Sequence, residues 1–356
     1  KYGNLIWEIN DMEAKIVDEL QKEFVKCSYY YSNALDYCGE LECLLAFANV
    51  ALENDYVRPR FNFNECTKGQ KTYTSSFVYA KKTRHPLMEL IADEHQFVPN
   101  DICIGECVGE NLGLDSLAMD KIKVLTGPNA SGKTVYLKQV GILVYMAMIG
   151  SYVPADEFVC GDFDRIFTRI NSNESISLRM STFSIDIQQV ADAINGSTYK
   201  SLILLDEFGK GTQAEDGQAL LAAVIRHWLR KEAPHELPHV FIATHFYEMF
   251  QSELADYLFE QNRRRLELLT FEFIQDEVRE GNGEKFKRSL FFLYRLRRGL
   301  AESSYAINIA KKVGLPDDII NRSIEIYKLI SDNILSSGSQ RLGTLETEYT
   351  QTLFEK

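Results

Sequence analysis

A stretch of eight residues, 127–134, constrains the fold of this 356-residue chain more than any other part of it. The stretch fits the phosphate-binding pattern G-x-x-x-x-G-K-[ST]. Its residues are Gly127, Pro128, Asn129, Ala130, Ser131, Gly132, Lys133 and Thr134. A mostly apolar run at residues 122–125 precedes it as a buried strand would, and residues 135–149, which carry almost no charge, follow as a buried helix would. This strand-loop-helix setting predicts a nucleotide site.

The pattern assigns separate tasks to the residues of the loop. Its two glycines let backbone N–H groups close around a triphosphate, and the positive end of the following helix points at the anion. Lys133 would then reach the outer phosphates, and Thr134 would bind Mg²⁺.

Two further apolar runs lead to polar residues that suit the same site. Residues 202–205 end in Asp206 and Glu207. In a phosphate-loop enzyme Asp206 would hold Mg²⁺ through water, and Glu207 would polarise the attacking water. The run at residues 240–243 leads to His245, which could hydrogen-bond the γ-phosphate or that water. The alternatives are a solvated strand end for the two acids and a helix cap for the histidine.

Two other pairs have an ordinary structural interpretation beside a functional one. Ser181 and Thr182 precede a helical pattern, so either is a good N-cap by residue type, although a helix N-terminus with a hydroxyl is also an anion site. Phe97 and Val98 lie upstream of the loop. Core packing is the default for them, and stacking of the aromatic ring on adenine is the alternative.

Composition excludes several classes of protein. No stretch of 18 apolar residues free of charge occurs, so we expect no membrane partner. The seven cysteines form no C-x-x-C pair, which indicates reduced thiols rather than zinc or disulfides. A net charge of −12 disfavours DNA as the main partner of this part of the protein. The chain starts at Lys1 with no visible signal peptide, and we expect it to be the C-terminal part of something longer.

The pattern of apolar residues changes along the chain. Helical spacing covers residues 1–57, and from residue 122 short apolar runs alternate with helices, which predicts a mixed, mostly parallel sheet wrapped by helices. Two later β-like runs flank Gly281-Asn282-Gly283 and predict a hairpin. We therefore divide the chain into a helical segment (1–60), a lead-in (61–121), an α/β domain (122–312) and a C-terminal helical segment with a polar tail (313–356).

Several motifs in this order resemble the ATPase domain of the MutS family of DNA-recognition ATPases. The matching segments are residues 126–139, 150–155, 166–169, 181–183, 206–212, 243–245, 299–306 and 314–316, with residues 41–59 and 84–86 upstream. The resemblance covers roughly residues 1–330. It implies a phosphate-loop ATPase fold of the ABC-like type, preceded by the all-helical end of the family's lever and core region, with a helical dimerisation segment at the C-terminus.

Three segments, 174–178, 206–212 and 220–228, look most like the meiotic branch of that family, which acts with MutS homologue four. Mismatch-repair members usually carry Ile or Leu at Phe208 and Arg at Lys210. The pair Ala130-Ser131 departs from the commoner Met-Gly.

The resemblance also implies roles for residues that chemistry alone leaves open. MutS proteins dimerise so that each site is completed by the opposing subunit, and Ser181, with Thr182, would act across the dimer on the partner's γ-phosphate. Phe97 and Val98 match the adenine-contacting pair, and Asn129 would lie by the γ-phosphate. ATP binding would close the dimer and turn a DNA-encircling ring into a mobile clamp.

The function implied is a nuclear ATP-hydrolysing clamp subunit that binds double-stranded and branched DNA, including Holliday junctions, and favours crossing over. MutL homologues are implied as further partners. Two alternatives stay open: a mismatch-repair MutS subunit, and an interaction scaffold that binds ATP but barely hydrolyses it. Lys133, Asp206, Glu207 and His245 argue against the scaffold.

Overall fold

Two long helices begin the chain. The computed structural model describes residues 2–63, 65–68, 71–74, 76–91, 97–105, 120–170, 182–231, 236–251, 255, 265–279, 286–301 and 306–329. Helix α1 (Tyr2–Lys26) and helix α2 (Ser28–Glu53) are separated by Cys27 alone. Trp7 is 78% exposed, and apolar side chains along both helices are exposed as well, so the two helices do not pack on each other as a hairpin.

Strands and helices alternate through the rest of the chain. In order they are β1 (Arg60–Phe61), β2 (Glu65–Lys68), β3 (Lys71–Thr74), β4 (Phe77–Thr83), α3 (Pro86–Ile91), β5 (Asn100–Gly105), β6 (Ile122–Thr126), α4 (Lys133–Met148), β7 (Glu157–Cys160), β8 (Ile166–Arg169), α5 (Thr182–Gly196), β9 (Leu202–Asp206), α6 (Ala214–Leu229), β10 (His239–Ala243), β11 (Leu266–Arg279) and β12 (Phe286–Arg298). Two further helices follow at Ala306–Val313 and at residues 317–329.

The central sheet is six-stranded, in the order β12-β11-β6-β10-β9-β8. All neighbouring strands in it are parallel except β12, which runs antiparallel to β11. The mixed α/β architecture with a mostly parallel sheet that the sequence predicts is therefore confirmed. Strands β6, β9 and β10 are buried along their whole length. The continuous apolar runs of β9 and β10 reflect helices or another sheet on both faces.

A second, four-stranded sheet has the order β1-β7-β4-β5. Strand β7 lies beyond residue 122, whereas its partners β1 and β4 lie before it. The second sheet thus joins residues from both sides of the boundary that the sequence suggests at 121.

Two apolar clusters cover the faces of the central sheet. On one face, α4 and the second sheet pack against β-strand side chains such as Leu204 and Phe241. On the other face, α5 and α6 cover Ile203 and Val240, and Trp228 of α6 is fully buried there. The central strands are consequently enclosed on both faces.

Local boundaries differ modestly from the sequence expectations. The apolar pattern predicts a helix at residues 218–231, and helix α6 begins four residues earlier, at Ala214. Strands β11 and β12 form the expected antiparallel ladder and extend beyond the β-like runs that the sequence shows at residues 266–274 and 290–296. Gly281-Asn282-Gly283 and the tail 331–356 lie outside the described residues. Five cysteines whose side chains the structure describes are free thiols: Cys27, Cys38, Cys43, Cys103 and Cys160. None of the helices that the structure describes has the length and apolarity needed to cross a bilayer.

His239 connects the two sheets. It begins β10, it is fully buried, and its Nε2 lies 2.7 Å from the carbonyl oxygen of Ser76, the residue before β4. Burial, helped by the positive charge of Lys121, lowers the pKa of His239 well below its ordinary 6.5. The folded protein therefore holds this imidazole neutral, while the unfolded chain protonates it.

This buried histidine predicts a pH-dependent stability. Because the unfolded state binds the extra proton, stability is lost as pH falls below 6.5, by at most about 1.4 kcal/mol per pH unit for one group. Urea unfolding at pH 7.5, 6.5 and 5.5 should show that His239→Gln loses less stability on acidification than the wild type. His227→Gln, at an exposed position of α6, should follow the wild type. Equal pH slopes for His239→Gln and the wild type would refute the prediction.

Candidate nucleotide-binding site

The parallel register of three strands brings the chemically active loops to one edge of the central sheet. Ala243 of β10 pairs with Leu125 of β6 on one side and with Asp206 of β9 on the other. The residues that follow these strands are the phosphate-binding loop, Glu207 and Thr244-His245. Carboxyl ends of parallel strands are the usual place for a ligand in such sheets. The pairing therefore places the end of β10, two residues before His245, next to Asp206.

The phosphate-binding loop has the backbone that its glycines permit. Gly127 and Gly132 have φ of 150° and 103°, and Ala130 also lies in the left-handed region at 63°. Lys133 begins α4 and is 4% exposed, and its Nζ donates to the carbonyl oxygens of Gly127 at 2.8 Å and Pro128 at 2.9 Å. Burial lowers the pKa of Lys133, while the charges of Glu207 and Asp206 oppose that shift. The loop backbone thus wraps around the ammonium group of Lys133 and accepts its hydrogen bonds.

Thr134 and Asp206 form the contact that links this loop to the acid pair. The Thr134 hydroxyl donates to Asp206 Oδ2 at 2.7 Å, and Asp206 Oδ1 is buried with no hydrogen-bond partner among the described residues. Burial raises the pKa of Asp206, and the Thr134 hydrogen bond opposes that shift. A hydroxyl and a carboxylate with a free buried oxygen are the hard ligands that Mg²⁺ prefers, so these residues fit the cation that the sequence suggests.

Glu207 lies one residue further on, in a strained backbone conformation with φ of 50°. Its amide donates to the Ala243 carbonyl at 2.8 Å, and its Oε2 accepts a hydrogen bond from Lys210 Nζ at 2.6 Å. Burial raises the pKa of Glu207, but the hydrogen bond and charge of Lys210, with the charges of Lys133 and His245, outweigh it and lower the pKa overall. The carboxylate is therefore ionised at neutral pH.

His245 is half-buried at the end of the next strand. Burial lowers its pKa, the charges of Lys210 and Lys133 act in the same direction, and Glu207 opposes them, so the imidazole is neutral at pH 7. The amide of Phe246 donates a hydrogen bond to the Thr244 hydroxyl oxygen at 3.0 Å. Thr244 therefore supplies the cap that the alternative interpretation assigned to His245, and the histidine side chain is not needed for capping.

A cavity of about 1120 Å³ adjoins these groups. Glu207 and the loop residues Asn129, Ala130 and 132–134 line one part of it, and Phe97 and Val98, both half-buried, line another. The structure thus brings the proposed adenine pair and the phosphate loop to one cavity. Ser181 lies outside the described residues, and Thr182 is known only as the first residue of α5.

The sequence alone assigns no role to two sets of cavity and site residues. Phe271 and Tyr294, from the β11–β12 hairpin, line the cavity, and a Cβ on Gly132 would lie 3.5 Å from Tyr294 Cδ1. Arg169 of β8 donates to the Asp206 carbonyl and forms a buried ion pair with Asp186 of α5. The aromatic pattern of the hairpin carries no signal that distinguishes it from ordinary packing, and the family motif at residues 166–169 includes Arg169 without indicating these contacts.

The family profile of MutS domain V matches residues 123–331, which is more than half of the chain. The chain belongs to the MutS family. The family that the sequence motifs predict is thereby confirmed.

Individual MutS relatives are similar over most of this chain. MutS protein homolog 5 of Saccharomyces cerevisiae is 32% identical over 100% of the chain, and MutS protein homolog 5 of Caenorhabditis elegans is 31% identical over 94% of it. The DNA mismatch repair protein MutS of Caldicellulosiruptor bescii is 32% identical over 83%. The chain spans 38%, 22% and 29% of these three proteins, respectively. The similarity to the homolog 5 branch agrees with the branch that the motifs indicate.

The turn after the acid pair of this MutS domain depends on a close glycine contact. Gly209 has φ of 90°, and a Cβ built on Gly217 in the first turn of α6 would lie 2.4 Å from the Gly209 carbonyl oxygen. Gly217→Ala must therefore displace backbone, and we expect a loss of about 1–3 kcal/mol in the free energy of unfolding, measured with urea.

The matched control for that change is Gly39→Ala. Gly39 lies in α2, and a Cβ there would meet nothing within 4 Å. Alanine should stabilise the helix there by up to about 1 kcal/mol. If Gly217→Ala unfolds at the same urea concentration as the wild type, the glycine contact does not constrain the turn.

Proposed function

We propose that this chain is the ATP-binding and ATP-hydrolysing part of a MutS-type clamp subunit, with the phosphate-loop architecture of the ABC-like type. The single observation that carries the proposal is the 2.7 Å hydrogen bond from Thr134 to Asp206, because it joins the phosphate loop to the acid pair at one sheet edge. Lys133 and Glu207 line the same cavity. A phosphate loop that bound a nucleotide without hydrolysing it would not need an ionised glutamate in the same cavity.

The chemistry follows from the state of each group. Lys133 exchanges its two carbonyl partners for the outer phosphates, and the loop amides hold the triphosphate at the start of α4. Asn129 contacts the γ-phosphate. The ionised Glu207 accepts the proton of the attacking water, and the neutral His245 orients that water or the γ-phosphate.

The cation would be held by Thr134 and Asp206. When bound, Mg²⁺ supplies positive charge that neutralises the phosphate oxygens. The free buried oxygen of Asp206 and its adjacent hydroxyl are the protein's contribution. Phe97 and Val98 contact the adenine from the other part of the cavity.

The proposed assembly is the meiotic one. Two relatives that match most of the chain are MutS homolog 5 proteins, and this supports a heterodimer with MutS homologue four, in which Ser181 and Thr182 complete the partner's site. The dimer would act in the nucleus on double-stranded and branched DNA such as Holliday junctions, promote crossing over, and work with MutL homologues. The net charge of −12 is compatible with DNA contacts made mainly by other parts of the whole protein.

A mismatch-repair subunit is the second candidate, because relatives named DNA mismatch repair proteins match the chain at similar identity. The two functions differ in the DNA they prefer. Binding of the full-length heterodimer to a four-way junction and to a mismatched duplex, in excess homoduplex, distinguishes them. Preference for the mismatch would overturn the meiotic assignment and leave the ATPase assignment intact.

Hydrolysis should depend on Glu207. Glu207→Gln removes the base and keeps the size of the side chain, so we expect ATP to bind with nearly unchanged affinity while kcat falls by about 10²-fold or more. Single-turnover hydrolysis of radiolabelled ATP in the assembled dimer, beside equilibrium ATP binding, separates the two quantities.

Two lysine variants are to be measured beside Glu207→Gln, to show that each effect belongs to the residue that is changed. Lys133→Ala should weaken ATP binding itself, because the ammonium in the loop is lost. Lys22→Ala, on the exposed surface of α1, should change neither binding nor turnover. Undiminished turnover in Glu207→Gln would remove that residue from the mechanism, and unchanged ATP affinity in Lys133→Ala would remove the nucleotide from this loop.

A further inference from the structure

The β11–β12 ladder is irregular where it borders the cavity. Phe271 pairs with Leu296, and the next pair along the ladder is Phe273 with Phe292. One residue on β11 therefore faces three residues on β12, which makes β12 bulge. Tyr294 is the middle residue of the bulge and has φ of 54°, a left-handed conformation that a bulky residue rarely adopts. Bulges of this kind redirect a side chain next to a functional site.

The side chain of Asn100 supplies the hydrogen bonds that the bulge loses. Asn100 begins β5 in the other sheet, and its Nδ2 donates to the carbonyl oxygen of Tyr294 at 2.8 Å. Its Oδ1 accepts a hydrogen bond from the amide of Leu296 at 2.7 Å. One planar amide thus binds the backbone on both sides of Arg295. A strained conformation persists only where its surroundings hold it in this way.

The same amide also binds a second segment that lines the cavity. Asn100 Nδ2 donates to the carbonyl oxygen of Val98 at 3.3 Å, and Val98 lines the cavity beside Phe97. The bulge places the Tyr294 ring against Gly132 of the phosphate loop, 3.5 Å from where a Cβ would be. Asn100 therefore ties the Val98 backbone to the Tyr294 backbone through a single nitrogen atom, and both residues line the cavity.

We propose that Asn100 is a positioning residue of the nucleotide site, which acts by clamping the β12 bulge so that the Tyr294 ring forms an aromatic wall for the base. This inference rests on the proposed ATP-binding function. It assigns no contact between Asn100 and the nucleotide. The triphosphate end of the site, built by the loop and the acid pair, does not depend on this clamp.

The change that tests the clamp is Asn100→Asp. The carboxylate keeps the size of the side chain and the acceptor for the Leu296 amide, but it loses the donor to Tyr294 and faces its carbonyl oxygen with a negative charge. We expect ATP to bind about tenfold more weakly, as for the loss of one aromatic stacking contact, while inorganic tripolyphosphate binds as it does to the wild type. Calorimetric titration of the full chain measures both affinities.

A double-mutant cycle separates positioning from a general structural effect. Tyr294→Gly removes the ring and suits the left-handed backbone, so the fold does not depend on a strained residue. If Asn100 acts through Tyr294, adding Asn100→Asp to Tyr294→Gly should weaken ATP binding no further. Asn54→Asp is the matched control, because Asn54 also donates to a backbone carbonyl, that of Val50, at the end of α2. It should leave ATP affinity unchanged.

The outcomes are distinguishable. Wild-type protein that binds neither ATP nor tripolyphosphate overturns the proposed function and this inference together. Wild-type protein that binds ATP, with Asn100→Asp binding it equally well, overturns the clamp alone. Additive losses in the cycle, or an equal loss of tripolyphosphate affinity in Asn100→Asp, also overturn it, because they show an effect that does not pass through the Tyr294 ring.

Discussion

The pairing of β10 between β6 and β9 is the constraint on which the candidate site depends. Because Ala243 is in register with both Leu125 and Asp206, three chain segments far apart in sequence must leave the sheet at the same level. The strands can occupy this central place because all of their residues are buried, with apolar clusters on both faces. Nothing in the loops themselves would bring a lysine, two carboxylates and a histidine together.

The two neighbouring acids differ in environment, and this difference suits them to the two roles proposed for them. Asp206 is held by the Thr134 hydroxyl in a buried position that raises its pKa, whereas Glu207 faces Lys210 and has its pKa lowered. A buried aspartate, whose negative charge is costly without a partner, is suited to binding a cation, since the positive charge of the cation compensates it. A glutamate that stays ionised is suited to act as a general base. Environments that divide two adjacent carboxyl groups in this way are typical of catalytic sites.

Much of this arrangement can be predicted from sequence, because its signals are local. The phosphate loop, the apolar strands that end in Asp206 and His245, and the family motifs each lie within one short segment. Asn100 and Tyr294 could not be found in the same way: the first is one polar residue at a strand start, and the second is one aromatic residue among several in β12. Their importance comes from a hydrogen bond between two sheets and from a bulge, and both depend on tertiary contacts. The apolar pattern predicts the start of α6 too late for a related reason. The first turn of this helix, with Glu215 and Asp216, is polar and lacks apolar periodicity.

The two carbonyl oxygens that bind Lys133 affect which anions the loop can accept. Because these oxygens are dipoles without net charge, they satisfy the hydrogen bonds of the buried ammonium but do not remove its positive charge. The nearby carboxylates of Glu207 and Asp206 stabilise that charge. An incoming anion must compete with the carbonyl oxygens for the same protons. Anions that carry more negative charge than orthophosphate compete more strongly, so this contact favours highly charged ligands.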